Sequence, residues 1–153
     1  MARYFFYLYQ VTDSRMHVFI FTAEAASFKR EIFMVFTYFF RDMQTLEMIR
    51  DYVIPNLRTR RYIHIWDAGC AMGQEPYSLA ITLRENMGMI FRNVRIHATD
   101  IDNSNLFSNI IERGTYPLEQ VQRIPGPIFE KYFSPADDEP VVANARLYRK
   151  TNM

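Results

Sequence analysis

The sequence predicts an α/β fold, a parallel sheet with flanking helices, and three observations carry that reading. Between residues 61 and 113, apolar runs of β character alternate with stretches of helical spacing. This strand, helix, strand, helix order implies parallel pairing with right-handed crossovers. The first strand runs into a glycine-bearing turn, GCAMG at 69–73, which opens a helix. The second ends on an acid, Asp100, where open α/β sheets present their ligands, outside the carboxyl ends of the strands.

Taken in order, the elements begin with an aromatic-rich segment. More than half of the Phe, Tyr and Trp residues fall in the first 40 positions, so the composition shifts near Phe36. Residues 1–36 show neither a clean helical stripe nor clear alternation, and they read as strand or irregular chain around 4–9 and 16–21, then helix around 23–35. Asp42 is placed to cap a helix whose Leu46, Ile49, Val53 and Leu57 recur three and four apart, with Pro55 making the last turn irregular. RYIHIWDA (61–68) reads as a strand. PYSLAITLRENM (76–87) reads as a helix with Pro76 at its first position, Leu79, Leu83 and Met87 on one face, and Gly88 as terminator. VRIHATD (94–100) is a second strand and NSNLFSNIIER (103–113) a second helix, with Leu106, Ile110 and Ile111 inward and Gly114 past its end. PLEQVQRI and PGPIFEKYF suggest two short helices, SPADDEP a polar loop, and VVANARLYRK one further strand.

Bulk properties narrow the function classes. At 153 residues the chain suits one domain. With 18 Lys and Arg against 17 Asp and Glu, the net charge of +1 gives no global electrostatic case for nucleic acid or an anionic membrane as partner. The single cysteine, Cys70, allows neither an internal disulfide nor a thiolate-rich zinc site, and it fits a cytoplasmic setting. No apolar run approaches the roughly 20 residues of a membrane span, and YFFYLY lacks the flanks of an export signal. His64 and His97 lie within strands and read as structural histidines, so no metal site is expected. RTRRY (58–62) is a short basic cluster of the kind usually solvated, or one that meets an acidic partner helix.

The chemistry concentrates at the two strand ends. Gly69 and Gly73 remove side chains where the backbone turns, letting a ligand approach the main chain and the amides that open the next helix. The alternative is a tight turn kept for folding alone. Asp100 is positioned to accept hydrogen bonds from the vicinal hydroxyls of a ribose. GCAMGQE lacks the Lys-Ser/Thr pair of a phosphate-cradling loop, and Glu75 would repel a pyrophosphate. A nucleoside that is cationic and carries no phosphate meets both conditions, and S-adenosyl-L-methionine is such a molecule.

TYFFRD (37–42), IWDAGCAMGQEPYSLAI (65–81), ATDID (98–102), GTYP (114–117) and KYF (131–133) occur in the order and approximate spacing of the CheR family, the chemoreceptor glutamate methyltransferases, which the chain resembles over roughly residues 35–133. The resemblance implies a partial class I, Rossmann-like methyltransferase fold and S-adenosyl-L-methionine as cofactor. It implies that Thr37 and Arg41 lie over the cofactor, that Glu75 and Asp100 contact it, and that the Gly69 to Gly73 turn accommodates its amino acid end. Arg41, a planar cation, is the candidate catalytic residue, presented to the substrate carboxylate or the cofactor carboxylate. The implied substrate is a glutamate of a methyl-accepting chemotaxis receptor. A glutamate with an unperturbed pKa of ~4.3 is already ionised at neutral pH, so the reaction calls for placement rather than a general base.

The chain departs from the family pattern at three points. Gln74 stands where the resemblance leads one to expect a first glutamate before PYS, and Val35 where it leads one to expect an asparagine. The chain also ends at Met153, before the further strands the family implies. On this reading 1–36 is a reduced, atypical N-terminal segment and 37–153 the N-terminal half of a CheR-type catalytic domain. Half a doubly wound sheet is expected to leave an unpaired edge and an uncovered apolar face, favouring self-association. The alternative to an enzyme is a non-catalytic CheR-like remnant or interaction module. A small-molecule methyltransferase fits TYFFR less well.

Overall fold

The structure, a computed structural model, describes the backbone of residues 4–12, 15–23 and 147–150 and the backbone and side chains of 37–101 and 107–136. The helix expected around 23–35, Val35 and Leu106 lie outside the described residues.

The main sheet has the order β1-β2-β3-β4: β1 (Tyr4–Thr12), β2 (Arg15–Ala23), β3 (Tyr62–Ala68) and β4 (Val94–Thr99). β3 and β4 pair in parallel, with Ala68 opposite Thr99, as the alternation of strands and helices predicts. β1 and β2 form an antiparallel hairpin, and β2 continues the sheet in parallel with β3 from Arg15 opposite Tyr62 to Phe21 opposite Ala68. The chain's own N-terminal segment therefore covers one side of β3, while β4 stays at the edge of this sheet, with β3 as its only partner among the described residues. This long-range pairing leaves no local trace in the sequence, because parallel neighbours need share no turn.

The helical face is built as the periodicity predicts. Asp42 caps α1 (Met43–Met48), its carboxylate accepting from the Thr45 amide at 3.1 Å and the Thr45 hydroxyl at 2.8 Å. The ladder then widens into a π-type turn over Ile49–Val53 before α2 (Ile54–Leu57). Pro55 has no amide to donate, and widening just ahead of a proline lets the chain stay helical. Leu46, Ile49, Val53, Ile54 and Leu57 enter one core with Ile63 and Ile65 of β3 and Leu79, Leu83 and Met87 of α3 (Gln74–Met87).

α3 starts two residues earlier than its proline suggests, with Gly73 at its N-terminus. Pro76 thus sits at the third helical position, where its missing amide would have lacked a partner within the helix anyway. Gly88, with φ at 56°, ends α3, and a short 3-10 segment, Gly88–Asn93, leads into β4. The other side of α3 is covered too: Ile81 joins Phe39, Tyr116, Val121, Ile124, Tyr132 and Phe133 in a second core. That core lies under α4 (Phe107–Arg113), α5 (Leu118–Val121) and α6 (Gly126–Tyr132). Ile110 and Ile111 of α4 are half-buried rather than fully inward. A small antiparallel sheet, β5 (Thr115–Pro117), β7 (Leu147–Lys150) and β6 (Phe133–Pro135), closes this side. β7 falls within the further strand expected at 141–150, whereas the three-residue β5 and β6 are too short to show a period in sequence. Among the described residues no helix is long and apolar enough to cross a membrane.

Candidate functional site

The turn between β3 and α3 is held by bonds from the neighbouring strand tip. The amides of Gly69 and Cys70 both donate to the Thr99 carbonyl, at 2.7 and 3.2 Å, and the Ala71 amide donates to Oδ2 of Asp100 at 2.6 Å. Ala71 has φ at 45° and Phe40 has φ at 55°; they are the two non-glycine residues with positive φ among the described residues. The amide of each is held by a side-chain acceptor. Asp100 holds Ala71, and Ser78 Oγ accepts from the Phe40 amide at 2.9 Å while donating to the Gln74 carbonyl at 2.7 Å. Strained backbone of this kind clusters at binding sites more often than elsewhere.

Beneath the turn, two tyrosines that belong to the quoted motifs act as props. The Tyr116 hydroxyl donates to the Met72 carbonyl at 2.8 Å, and that of Tyr77 to the Ile111 carbonyl at 2.7 Å. Gly73, with φ at 93°, has no room for a side chain: a Cβ there would stand 2.8 Å from Cγ1 of Ile111 and 3.0 Å from the Tyr116 hydroxyl. The space that Gly73 leaves is thus taken by the protein itself, which gives this glycine a packing reason. Gly69, with φ at 95°, is exposed at the strand tip.

Three carboxylates converge on this turn. The Cys70 thiol is buried and pushed up to about 11, by burial first and then by the negative charges of Asp67, Asp100 and Glu75. It is correspondingly inert as a nucleophile. Asp67, which the sequence reading passed over, is fully buried, and neither of its oxygens has a hydrogen-bond partner among the described residues. Burial, then the charge of Asp100, pushes its carboxyl up to about 7. The signal for it was present: the alternation that turns Ile63 and Ile65 inward carries Asp67 inward as well. Asp100 is exposed, and its Oδ1 makes no bond among the described residues.

The second part of the site lies against α1 and α3. Thr37, Arg41 and Glu75 line one cavity of about 50 Å³ together with Ser78, Thr45 and Leu46. The segment preceding α1 and the first turn of α3 therefore bring Thr37 and Arg41 together with Glu75, 34 or more positions away in the sequence. Gln74 is buried, its Nε2 donating to Oε1 of Gln120 at 2.8 Å. A neutral amide there avoids adding a fourth carboxylate to the cluster. Trp66 reaches across to the next strand, its indole nitrogen donating to the Thr99 hydroxyl at 2.9 Å.

Chemically, the arrangement suits a cationic nucleoside. Orphaned carboxylate oxygens next to two further acids favour a positive ligand and disfavour phosphate, and an exposed carboxylate at a strand tip is the partner a ribose diol requires.

Comparison with known proteins agrees with this geometry. The family model described as the CheR methyltransferase, SAM binding domain, matches residues 35–148. The chain is 37% identical over 97 residues to chemotaxis protein methyltransferase 2 of Pseudomonas aeruginosa, covering 63% of this chain and 34% of that protein. It is 33% identical over 111 residues to the chemotaxis protein methyltransferase of Borreliella burgdorferi, covering 67% and 38%. It is 32% identical over 102 residues to chemotaxis protein methyltransferase 2 of Vibrio cholerae, covering 64% and 35%. The chain thus spans a little over a third of the length of these curated relatives. A match over most of the chain, with the Gly69 to Gly73 turn inside it, settles the family: the chain belongs to the CheR methyltransferases, within their SAM-binding domain.

Proposed function

We propose that this chain forms the cofactor-binding part of a methyltransferase that transfers a methyl group from S-adenosyl-L-methionine to glutamate side chains of methyl-accepting chemotaxis receptors, in a cytoplasmic setting. The convergence of Asp67, Asp100 and Glu75 on one strained turn carries the proposal. Asp100 offers its free oxygen to the ribose. Asp67 and Glu75 supply the negative potential that holds a cationic nucleoside. Gly69 lets it approach the backbone, while Gly73 sets the turn's shape. Thr37 and Arg41 close the site from the α1 side, with Arg41 facing the carboxylate of substrate or cofactor. When bound, the cofactor supplies a methyl group on a positively charged sulfur. The protein's part is to align an already ionised glutamate and to exclude water, because the charges of the two reactants cancel in the transition state. This division of labour calls for no proton-relay set.

Domain limits of 1–36 for an atypical N-terminal segment and 37–153 for the catalytic part belong to the same proposal. So does self-association through the outer face of β3 and β4, where Tyr62, His64, Trp66 and His97 are exposed; a molar mass above that of the monomer in light scattering checks it. A second reading, a CheR-like interaction module that no longer binds cofactor, draws on the packing role of Gly73. Titration with S-adenosylhomocysteine decides between them. The proposal expects saturable binding, weakened about tenfold or more by Asp100→Asn, which keeps the acceptor for the Ala71 amide but removes the charge. Labelled methyl transfer to a receptor fragment is expected to fall in parallel. Absence of binding in a chain that melts cooperatively overturns the proposal and favours the module.

A further inference from the structure

Positive charge is unevenly placed on this molecule. Although the net charge is +1, a groove of about 760 Å³ at the far end of α3 from the glycine turn is walled by Arg84, Arg92, Arg95 and Lys131. Its one acid, Glu85, is already engaged, accepting from Lys131 Nζ and from the Tyr132 hydroxyl, each at 2.6 Å. Arg58 extends the basic strip along the same helix end, donating to the Asn86 carbonyl at 3.0 Å.

Three of the arginines, Arg58, Arg84 and Arg95, are held in place by neutral groups. The Arg84 guanidinium lies 5.8 Å over the Phe91 ring, and Arg95 donates to the carbonyls of Arg92 and Val94 at 3.1 and 2.9 Å. Among the described residues no carboxylate stands within ion-pairing distance of Arg58, Arg84, Arg92 or Arg95. A guanidinium fixed by a ring or a carbonyl has spent part of its side-chain entropy in advance and keeps other N–H donors for an incoming anion. Two apolar side chains share the lining with the cations: Met89, 84% exposed, and Phe91, half-buried. So open a methionine contributes nothing to the core, and flexible, polarizable side chains of this type recur at peptide-binding surfaces.

We propose that this groove is a docking surface for an acidic, amphipathic segment of a partner protein. Its carboxylates pair with the guanidinium forks while an apolar side chain covers Met89 and Phe91. Two features favour a polypeptide over other polyanions. A groove is poorly matched to a planar membrane surface, and phosphate contacts along a nucleic acid make no use of an exposed methionine in its lining. The proposal stands apart from the methyl-transfer reading, since none of its residues lies at the glycine turn or in the Thr37–Arg41–Glu75 cavity.

The probe is a synthetic amphipathic helix with glutamates on one face and leucines on the next, alongside the same peptide with every glutamate replaced by glutamine, titrated by fluorescence anisotropy at low and high salt. Saturable, salt-sensitive binding of the acidic peptide is expected, lost about tenfold or more in the glutamine peptide and in the Met89→Ser, Arg92→Glu double variant. Both substituted side chains are exposed, so the variant's melting curve is expected to match the parent's. Equal affinity for parent and variant overturns the proposal, as does absence of saturable binding to the parent. Equally tight, equally variant-sensitive binding of a short DNA duplex or of phosphatidylserine vesicles overturns the polypeptide assignment.

Discussion

A carboxyl buried without a partner, as Asp67 is, ties stability to pH in a direction opposite to that of a salt-bridged acid. Burial, helped by Asp100, raises its pKa from the ordinary carboxylate range to about 7. Between about pH 4 and pH 7 the unfolded chain releases this proton while the folded chain keeps it. Stability from this residue is therefore intact below pH 4 and falls as pH rises, by up to about 4 kcal/mol once pH exceeds the folded value. Asp67→Asn is expected to flatten the decline, read as denaturant midpoints at pH 5 and pH 8. A cationic ligand seated beside Asp67 lowers that pKa, so binding near pH 7 is expected to release a proton. Calorimetric heats that shift with buffer ionisation enthalpy in the parent but not in Asp67→Asn measure this. Gly73 gives a purely steric counterpart: an alanine there meets Ile111 and Tyr116 in a left-handed backbone. Gly73→Ala is expected to cost about 2 to 4 kcal/mol in chemical denaturation.

At the scale of elements, helices are specified locally and placed by contact. Asp42 makes the clearest local contribution, satisfying the Thr45 amide at the start of α1. Asp42→Ala is expected to cost about 1 kcal/mol in thermal or denaturant melts, with the loss confined to stability unless the adjoining Arg41 cavity opens with it. Leu46, Ile49, Val53 and Leu57 announced this helical stretch by spacing, yet the π-type turn across Ile49–Val53 was visible only as a proline that had to be accommodated. α3 shows the reverse limit. Its Leu79, Leu83 and Met87 face was legible, whereas Ile81 on the opposite side faces a second core made by Phe39, well before it in the chain, and by residues from Tyr116 to Phe133, well after it. No window centred on α3 contains that information. In the small β5-β7-β6 sheet only β7 was expected, within VVANARLYRK; β5 and β6 escaped for a related reason, because three-residue strands owe their conformation to their neighbours.

For the whole molecule, the N-terminal hairpin is the decisive feature. β2 occupies the β3 edge over seven paired positions, from Arg15 opposite Tyr62 to Phe21 opposite Ala68. An uncovered parallel edge beside an apolar core invites pairing with another chain. Deletion of residues 1–23 is therefore expected to leave helices α1 to α3 assembled but to drive the protein into higher-order species, detectable by size-exclusion chromatography with light scattering. An unchanged elution volume with unchanged stability would show that the hairpin is dispensable.

The sequence by itself determined the parallel β3–β4 unit, the glycine turn, and the family, because each is written in short-range pattern: alternation, helical spacing, and motifs in fixed order. It also supplied Thr37, Arg41, Glu75 and Asp100 as candidates for the site. Tertiary structure alone decided that Asp67 joins the acids around Cys70, that Gly73 is packed by Ile111 and Tyr116, and that the N-terminal strands complete the sheet. The physical reason is common to all three. Burial and desolvation depend on what other segments bring against a residue, and a linear sequence does not show which distant surfaces meet.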